Sequence, residues 1–114
     1  MNKTLQITIY LDGINVGNLV LKTTGQYYKI TGLTGVLPLA GDLQQFMRAV
    51  DAGARPASLF TLCNLDGKGF EIAYGFADEL VFLKLWLKTA DAGMAMVFDW
   101  AGGFEDFKNG FKIM

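Results

Sequence analysis

The sequence contains no histidine, a single cysteine and only two prolines among its 114 residues. Histidine is the one side chain that titrates near neutral pH unperturbed, and it is the commonest transition-metal ligand. Its absence excludes Ser-His and Cys-His nucleophilic catalysis and histidine-ligated zinc. An enzyme built from this chain would have to use carboxylates, lysine or tyrosine. Cys63 has no second cysteine to pair with. It lies in an apolar stretch with no imidazole to activate it, which predicts a buried structural thiol and no nucleophile. Gln6 and Thr8 interrupt the apolar residues that follow Met1, so no secretory leader is visible, and a reducing, cytoplasmic setting is expected. Long hydrophobic runs are missing too. The greasiest stretch, Leu80 to Leu87, contains Lys84 and falls far short of the roughly 20 residues that span a bilayer, so no membrane partner is expected. Blocks of like charge are also lacking: ten basic residues stand against eleven acidic ones, for a net charge of −1. No basic or acidic tail therefore points to a partner.

Apolar residues, by contrast, are abundant, at 52% against 18% charged. That composition excludes disorder and predicts a single domain, 1–114, with more apolar surface than one core consumes.

Along the chain, Leu5, Ile7, Ile9 and Leu11 alternate with Thr4, Gln6, Thr8 and Tyr10, the period of a half-buried strand. Asp12-Gly13 turns it, Leu19 and Leu21 continue the apolar set, and a third strand carries Tyr28 and Ile30. Asp42 with Gln45 three residues later has the spacing of a capping box, ahead of a helical stripe formed by Leu43, Phe46, Met47 and Val50. Gly53 and Pro56 stop that helix. Leu59 to Leu65 and Phe70 to Phe76 form a hairpin about Asp66-Gly67-Lys68-Gly69. The segment Asp78 to Ala92 alternates as a strand would, yet Asp78 can cap, Glu79 suits a first turn and Lys84 and Lys88 share a face at i, i+4. A helix is expected there. A final strand, Ala95 to Trp100, precedes Phe104, Phe107 and Phe111, whose spacing gives a short helical tail weakened by Gly110.

The expected architecture is α+β: an antiparallel sheet with two helices in ferredoxin-like βαββαβ order over 25–101. A β-hairpin (1–24) precedes it and an aromatic tail (102–114) follows.

That order invites comparison with the RNA-recognition motif. Lys68-Gly69-Phe70 is similar to the start of its longer signature and Ile30-Thr31-Gly32-Leu33 to the end of its shorter one. Lys29 stands where the shorter signature has an aromatic, and Glu71 and Ile72 depart from the longer one, removing base-stacking positions. Gly35 to Gly41 lacks the lysine of a phosphate loop, and Gly67-Lys68-Gly69 lacks the third glycine of a dinucleotide fingerprint. The carboxylates Asp66, Glu71, Asp78, Glu79, Asp91 and Asp99 show no spacing that joins any two in acid/base work or cation binding. No cofactor and no metal site is implied.

The apolar surplus is the stronger signal. On a helix over 78–92, Val81 and Leu85 form an uncovered shoulder beside Trp86. The tail adds Trp100, Phe104, Phe107 and Phe111, which can dock on their own domain or on a partner. The sequence thus predicts a non-enzymatic protein-binding module of the inhibitor, immunity, phage accessory or assembly adaptor type. Its partner would be another protein or a second copy of itself. The alternative is single-stranded nucleic acid on an open sheet face through Tyr27, Tyr28, Lys29, Lys68 and Phe70. A carboxylate-based enzyme comes third.

Overall fold

The computed structural model describes residues 4–91 and 93–114. The first three residues of the expected hairpin, and Ala92 at the end of the expected second helix, lie outside them. The chain is α+β, with ten elements in two four-stranded sheets and two helices. In order they are β1 (Gln6–Leu11), β2 (Val16–Lys22), β3 (Tyr27–Thr34), α1 (Val36–Asp51), β4 (Ser58–Cys63), β5 (Gly69–Ala77), β6 (Leu80–Lys88), β7 (Met94–Gly102), α2 (Phe104–Gly110) and β8 (Phe111–Ile113). One sheet runs β3-β2-β1-β8 and is antiparallel except for β8, which lies parallel to β1. The other is the antiparallel meander β4-β5-β6-β7.

The largest departure from expectation is β6. Val81, Leu83 and Leu85 are fully buried while Phe82, Lys84, Trp86 and Lys88 point the other way, so the period of two in this segment prevails over its capping and charge signals. Paired with β5 on one side and β7 on the other, a strand satisfies its whole backbone ladder. Asp78 caps no helix. It takes a left-handed conformation (φ 57°) in the two-residue turn between Ala77 and Leu80, a conformation aspartate tolerates better than most residues. Arg55 braces this turn, donating to the Asp78 carbonyl (2.7 Å) and to Glu79 (2.9 Å) while lying over the Phe76 ring. With β6 in place of a helix, the inner order is βαββββ and the ferredoxin-like arrangement is not formed.

Helix α1 starts two turns before the expected capping box. Gly35 (φ 77°) precedes it, Pro38 sits in the first turn where its missing N–H costs nothing, and the Asn15 side chain accepts from the Leu37 N–H at 3.0 Å. The cap thus comes from the β1–β2 loop. Asp42 and Gln45 lie inside the helix. Gly53 (φ 94°) follows its end, as the sequence predicts.

Strand β3 joins the two sheets. Near its start, Gln26 bonds Asp99 of β7. Tyr28, its second residue, meets Phe70 of β5 edge-on, and at its end Leu33 bridges Asn64 just beyond β4. These contacts hold the two sheets about one core. Ile7, Ile9, Leu19, Leu21, Ile30 and Leu33 meet Phe70, Ile72, Leu83, Leu85 and Phe98 there, and α1 adds Val36, Leu39, Leu43 and Phe46.

The tail docks on its own domain. Phe107 is fully buried, with its ring centroid 5.3 Å from that of Phe46 and 6.2 and 6.3 Å from those of Tyr74 and Trp100. Gly110 permits this. A Cβ there would stand 1.9 Å from the Leu5 carbonyl oxygen, so only glycine lets α2 end against the chain entering β1 and hand over to β8.

Candidate functional site

With the sheets packed face to face, each keeps one open side, and the two sides differ in chemistry. On the β4–β7 sheet the outward residues are Leu59, Thr61 and Cys63, then Glu71 and Ala73, then Phe82, Lys84, Trp86 and Lys88, then Met94, Met96 and Asp99. The cross-strand register places Thr61, Glu71, Trp86 and Met96 in one row and Leu59, Ala73, Lys84 and Asp99 in the next. Leu59 is 65% exposed, Met94 51% and Met96 46%, and Phe82 and Trp86 are half-buried beside them. A solvated antiparallel face normally alternates to polar residues. Here large apolar side chains recur on all four outward rows, as Met94, as Trp86 with Met96, as Leu59 and as Phe82, with Lys84 lying toward the Phe82 ring. Glu71 and Asp99 balance Lys84 and Lys88, leaving the face without net charge.

The outer face of the β3-β2-β1-β8 sheet is basic and hydroxylated. Its strands carry Lys22, Lys29 and Lys112 and no acidic residue. The register sets Lys112, Thr8, Val20 and Lys29 in one row, Gln6, Lys22 and Tyr27 in the next, and Tyr10 beside Asn18. Tyr27 is 62% exposed. A shallow groove of about 410 Å³ runs along Thr4, Gln6, Thr8 and Tyr10 to Lys112 and to Asp106 and Asn109 of α2.

These placements redraw the residues singled out in the sequence. Of the apolar set, only Trp86 faces outward on a strand. Val81 and Leu85 point into the core, since in a strand they belong to the opposite face from Trp86. Trp100 and Phe107 are buried, and Phe104 and Phe111 pack half-buried against the core. The nucleic-acid set divides in the same way. Tyr27 and Lys29 lie on the open face of the first sheet, whereas Tyr28 and Phe70 turn inward to meet each other and Lys68 sits on the β4–β5 turn. Cys63 is exposed, contrary to the buried thiol expected, because the inward positions of β4 are Ser58, Phe60 and Leu62.

One polar cluster escaped the sequence reading. Asp42 of α1 accepts hydrogen bonds from Ser58 Oγ at 2.6 Å and from the Tyr74 hydroxyl at 2.5 Å, both on Oδ2. Burial of the ring, reinforced by the carboxylate, pushes the Tyr74 phenol far above its ordinary range. The signal was there: Asp42 falls on the stripe of Leu39, Leu43 and Phe46, where a carboxylate must find donors. The cluster pins α1 to the second sheet. Among the described residues no three Cys, Asp or Glu side chains converge as metal ligands, and no helix is long and apolar enough to cross a membrane.

Comparison of the chain with protein-family models, with curated proteins and with solved structures gives no match.

Proposed function

We propose that the protein is a binding module for another protein, with the outer face of the β4–β7 sheet as its contact surface and Trp86, Phe82, Leu59 and Met96 as the anchors. The observation that carries this reading is the apolar character of an uncovered sheet face, where alternation leads one to expect polar residues. A broad sheet face of this kind suits a macromolecule better than a small ligand. The balance of Glu71 and Asp99 against Lys84 and Lys88 favours a protein over a polyanion. Trp86 beside the flexible thioethers of Met94 and Met96 matches the composition of interface centres. Partner capture by the wild-type chain, with loss on Trp86→Ala or Leu59→Asp at unchanged thermal stability, is the expected result. Capture that survives both substitutions would move the contact off this face.

A second reading has its own observation. Lysines and tyrosines without a carboxylate on the strands of the first sheet supply phosphate neutralisation and stacking for single-stranded nucleic acid. Oligonucleotide affinity that falls steeply with salt and is weakened by Lys29→Ala and Tyr27→Ala supports it. Absence of binding at low salt removes it.

A further inference from the structure

The four sheet edges are treated unequally, and the difference points to a second interaction. Edge strands are templates for further pairing unless something blocks them. On β7 two devices do so. The register passes from Leu85 opposite Phe98 to Trp86 opposite Met96, leaving Val97 as a bulge. Next to it, the Gln26 side chain donates to the Asp99 carbonyl (2.6 Å) and accepts from the Asp99 N–H (3.0 Å), taking both main-chain groups that a new strand would need. The β3 edge is occupied at its two ends by β7 and by the residues after β4, and β8 is only three residues long.

Strand β4 is engaged only at its end, where Leu33 bridges Asn64 and Thr34 bonds the Cys63 carbonyl; from Ser58 to Leu62 its edge has no such protection. Its sequence, Ser-Leu-Phe-Thr-Leu-Cys, contains no charge and no proline, and it pairs with β5 without a bulge. Which of its groups are free follows from the ladder. The Asn64 N–H donates to the Lys68 carbonyl at 3.0 Å, so that pair is hydrogen-bonded. Bonded pairs alternate in an antiparallel ladder, which makes Leu62, Phe60 and Ser58 bonded to β5 and turns the main-chain groups of Cys63, Thr61 and Leu59 outward. The Cys63 carbonyl confirms the parity, because it accepts from Thr34 Oγ1 at 2.8 Å on that outer side. Leu59 and Thr61 thus present two N–H and two C=O groups along an open groove of about 300 Å³ between β4 and the start of α1, lined by Pro38, Gly35 and Phe60.

We propose that this edge pairs with the β4 edge of a second copy of the chain, antiparallel about a two-fold axis through Phe60. In that register Leu59 stands opposite the second copy's Thr61 and Thr61 opposite the second copy's Leu59. All four free groups are then satisfied by four hydrogen bonds. An identical strand meets this one without like-charge opposition, since neither bears a charge. The rows of the outer face run on across the axis, so the Leu59, Ala73, Lys84 row of one copy continues into the Thr61, Glu71, Trp86 row of the other, with Lys84 and Glu71 of opposite sign in one line. The two Phe60 rings lie over the grooves on the inner side. The inference concerns the backbone edge and stands apart from the protein-binding face proposed above.

Light scattering across a concentration series, combined with amide hydrogen exchange, tests it. The expected mass is twice the 12.5 kDa of the chain at high concentration, with Leu59 and Thr61 amides that become protected as the dimer forms. Thr61→Pro removes an outward donor while keeping every bond to β5, and it is expected to raise the dimer dissociation constant more than tenfold with the circular dichroism spectrum unchanged. A monomer at all concentrations with both amides exchanging freely overturns the proposal and leaves the edge open to a strand of a different protein. A dimer in which those amides stay unprotected overturns it as well, and that readout needs no variant to fold.

Discussion

Ser58 and Tyr74 face each other directly across the β4–β5 ladder, and their hydroxyls converge on a single oxygen of Asp42. A cross-strand pair and a helix carboxylate form one unit, and that unit fixes where α1 lies on the sheet. Removing the acceptor strands two donors, one of them on a fully buried ring. Asp42→Ala is therefore expected to destabilise the fold by about 2 to 3 kcal/mol, read from urea or thermal unfolding. The triple variant Asp42→Leu, Ser58→Ala, Tyr74→Phe leaves no donor unpaired and is expected to recover part of that loss.

The same cluster sets a pH dependence. The Tyr74 phenol is raised in the folded state, so folding favours its neutral form. Its contribution is complete below the unfolded tyrosine value of about 10 and declines as pH rises beyond it. Tyr74→Phe should lose stability more slowly than the wild type between pH 10 and 11.5, while the two respond alike below pH 9. Parallel curves through the alkaline range would refute the coupling.

Gly110→Ala is expected to be severe for its size. The new methyl would overlap the Leu5 carbonyl, so α2 or the entry to β1 must shift. A loss of about 2 kcal/mol or more, and selective loss of protection at the Leu11 and Met114 amides, which donate to the Met114 and Ile9 carbonyls, would follow.

Gln26→Ala exposes the Asp99 main-chain groups on β7. The expected effect on stability is modest, about 1 kcal/mol, since the site is exposed. The expected effect on solubility is larger: light scattering should show association growing with concentration, because a nine-residue edge loses one of its two blocks.

Phe107→Ala and Trp86→Ala separate core from surface. The first removes a ring packed on Phe46, Tyr74 and Trp100 and should cost about 3 to 4 kcal/mol. The second removes an outward ring and should cost less than half of that.

Most strands were legible because alternation is a local signal: Leu5 to Leu11 and the hairpin about Asp66-Gly67 lie where their period puts them, and the strand expected over Ala95 to Trp100 is present, although the bulge at Val97 turns Met96 to the opposite face from Phe98 and Trp100. Segment 78–92 was misassigned because Asp78, Glu79 and two lysines at i, i+4 fit a helix equally well. The tie is broken only by the neighbours β5 and β7, which no local window contains. The candidate surface was missed in the same step. One change of period moved Val81 and Leu85 to the opposite face from Trp86, leaving that tryptophan as the one survivor of the apolar set. Tail docking depended on the space at Gly110, a feature of three-dimensional packing and not of helix propensity. The start of α1 was hidden because its cap, Asn15, lies about twenty residues upstream.

Strand β8 lies parallel to β1, with the Met114 N–H bonded to the Ile9 carbonyl and the Leu11 N–H bonded to the Met114 carbonyl. Tension carried along the polypeptide through residues 4 and 114 would draw these two strands past each other lengthwise. Their bonds would then bear the load together and yield in a single event, whereas a hairpin pulled from its open end unzips one rung at a time. Under force, the weakest-looking ladder of the molecule, three residues long, becomes its mechanical clasp.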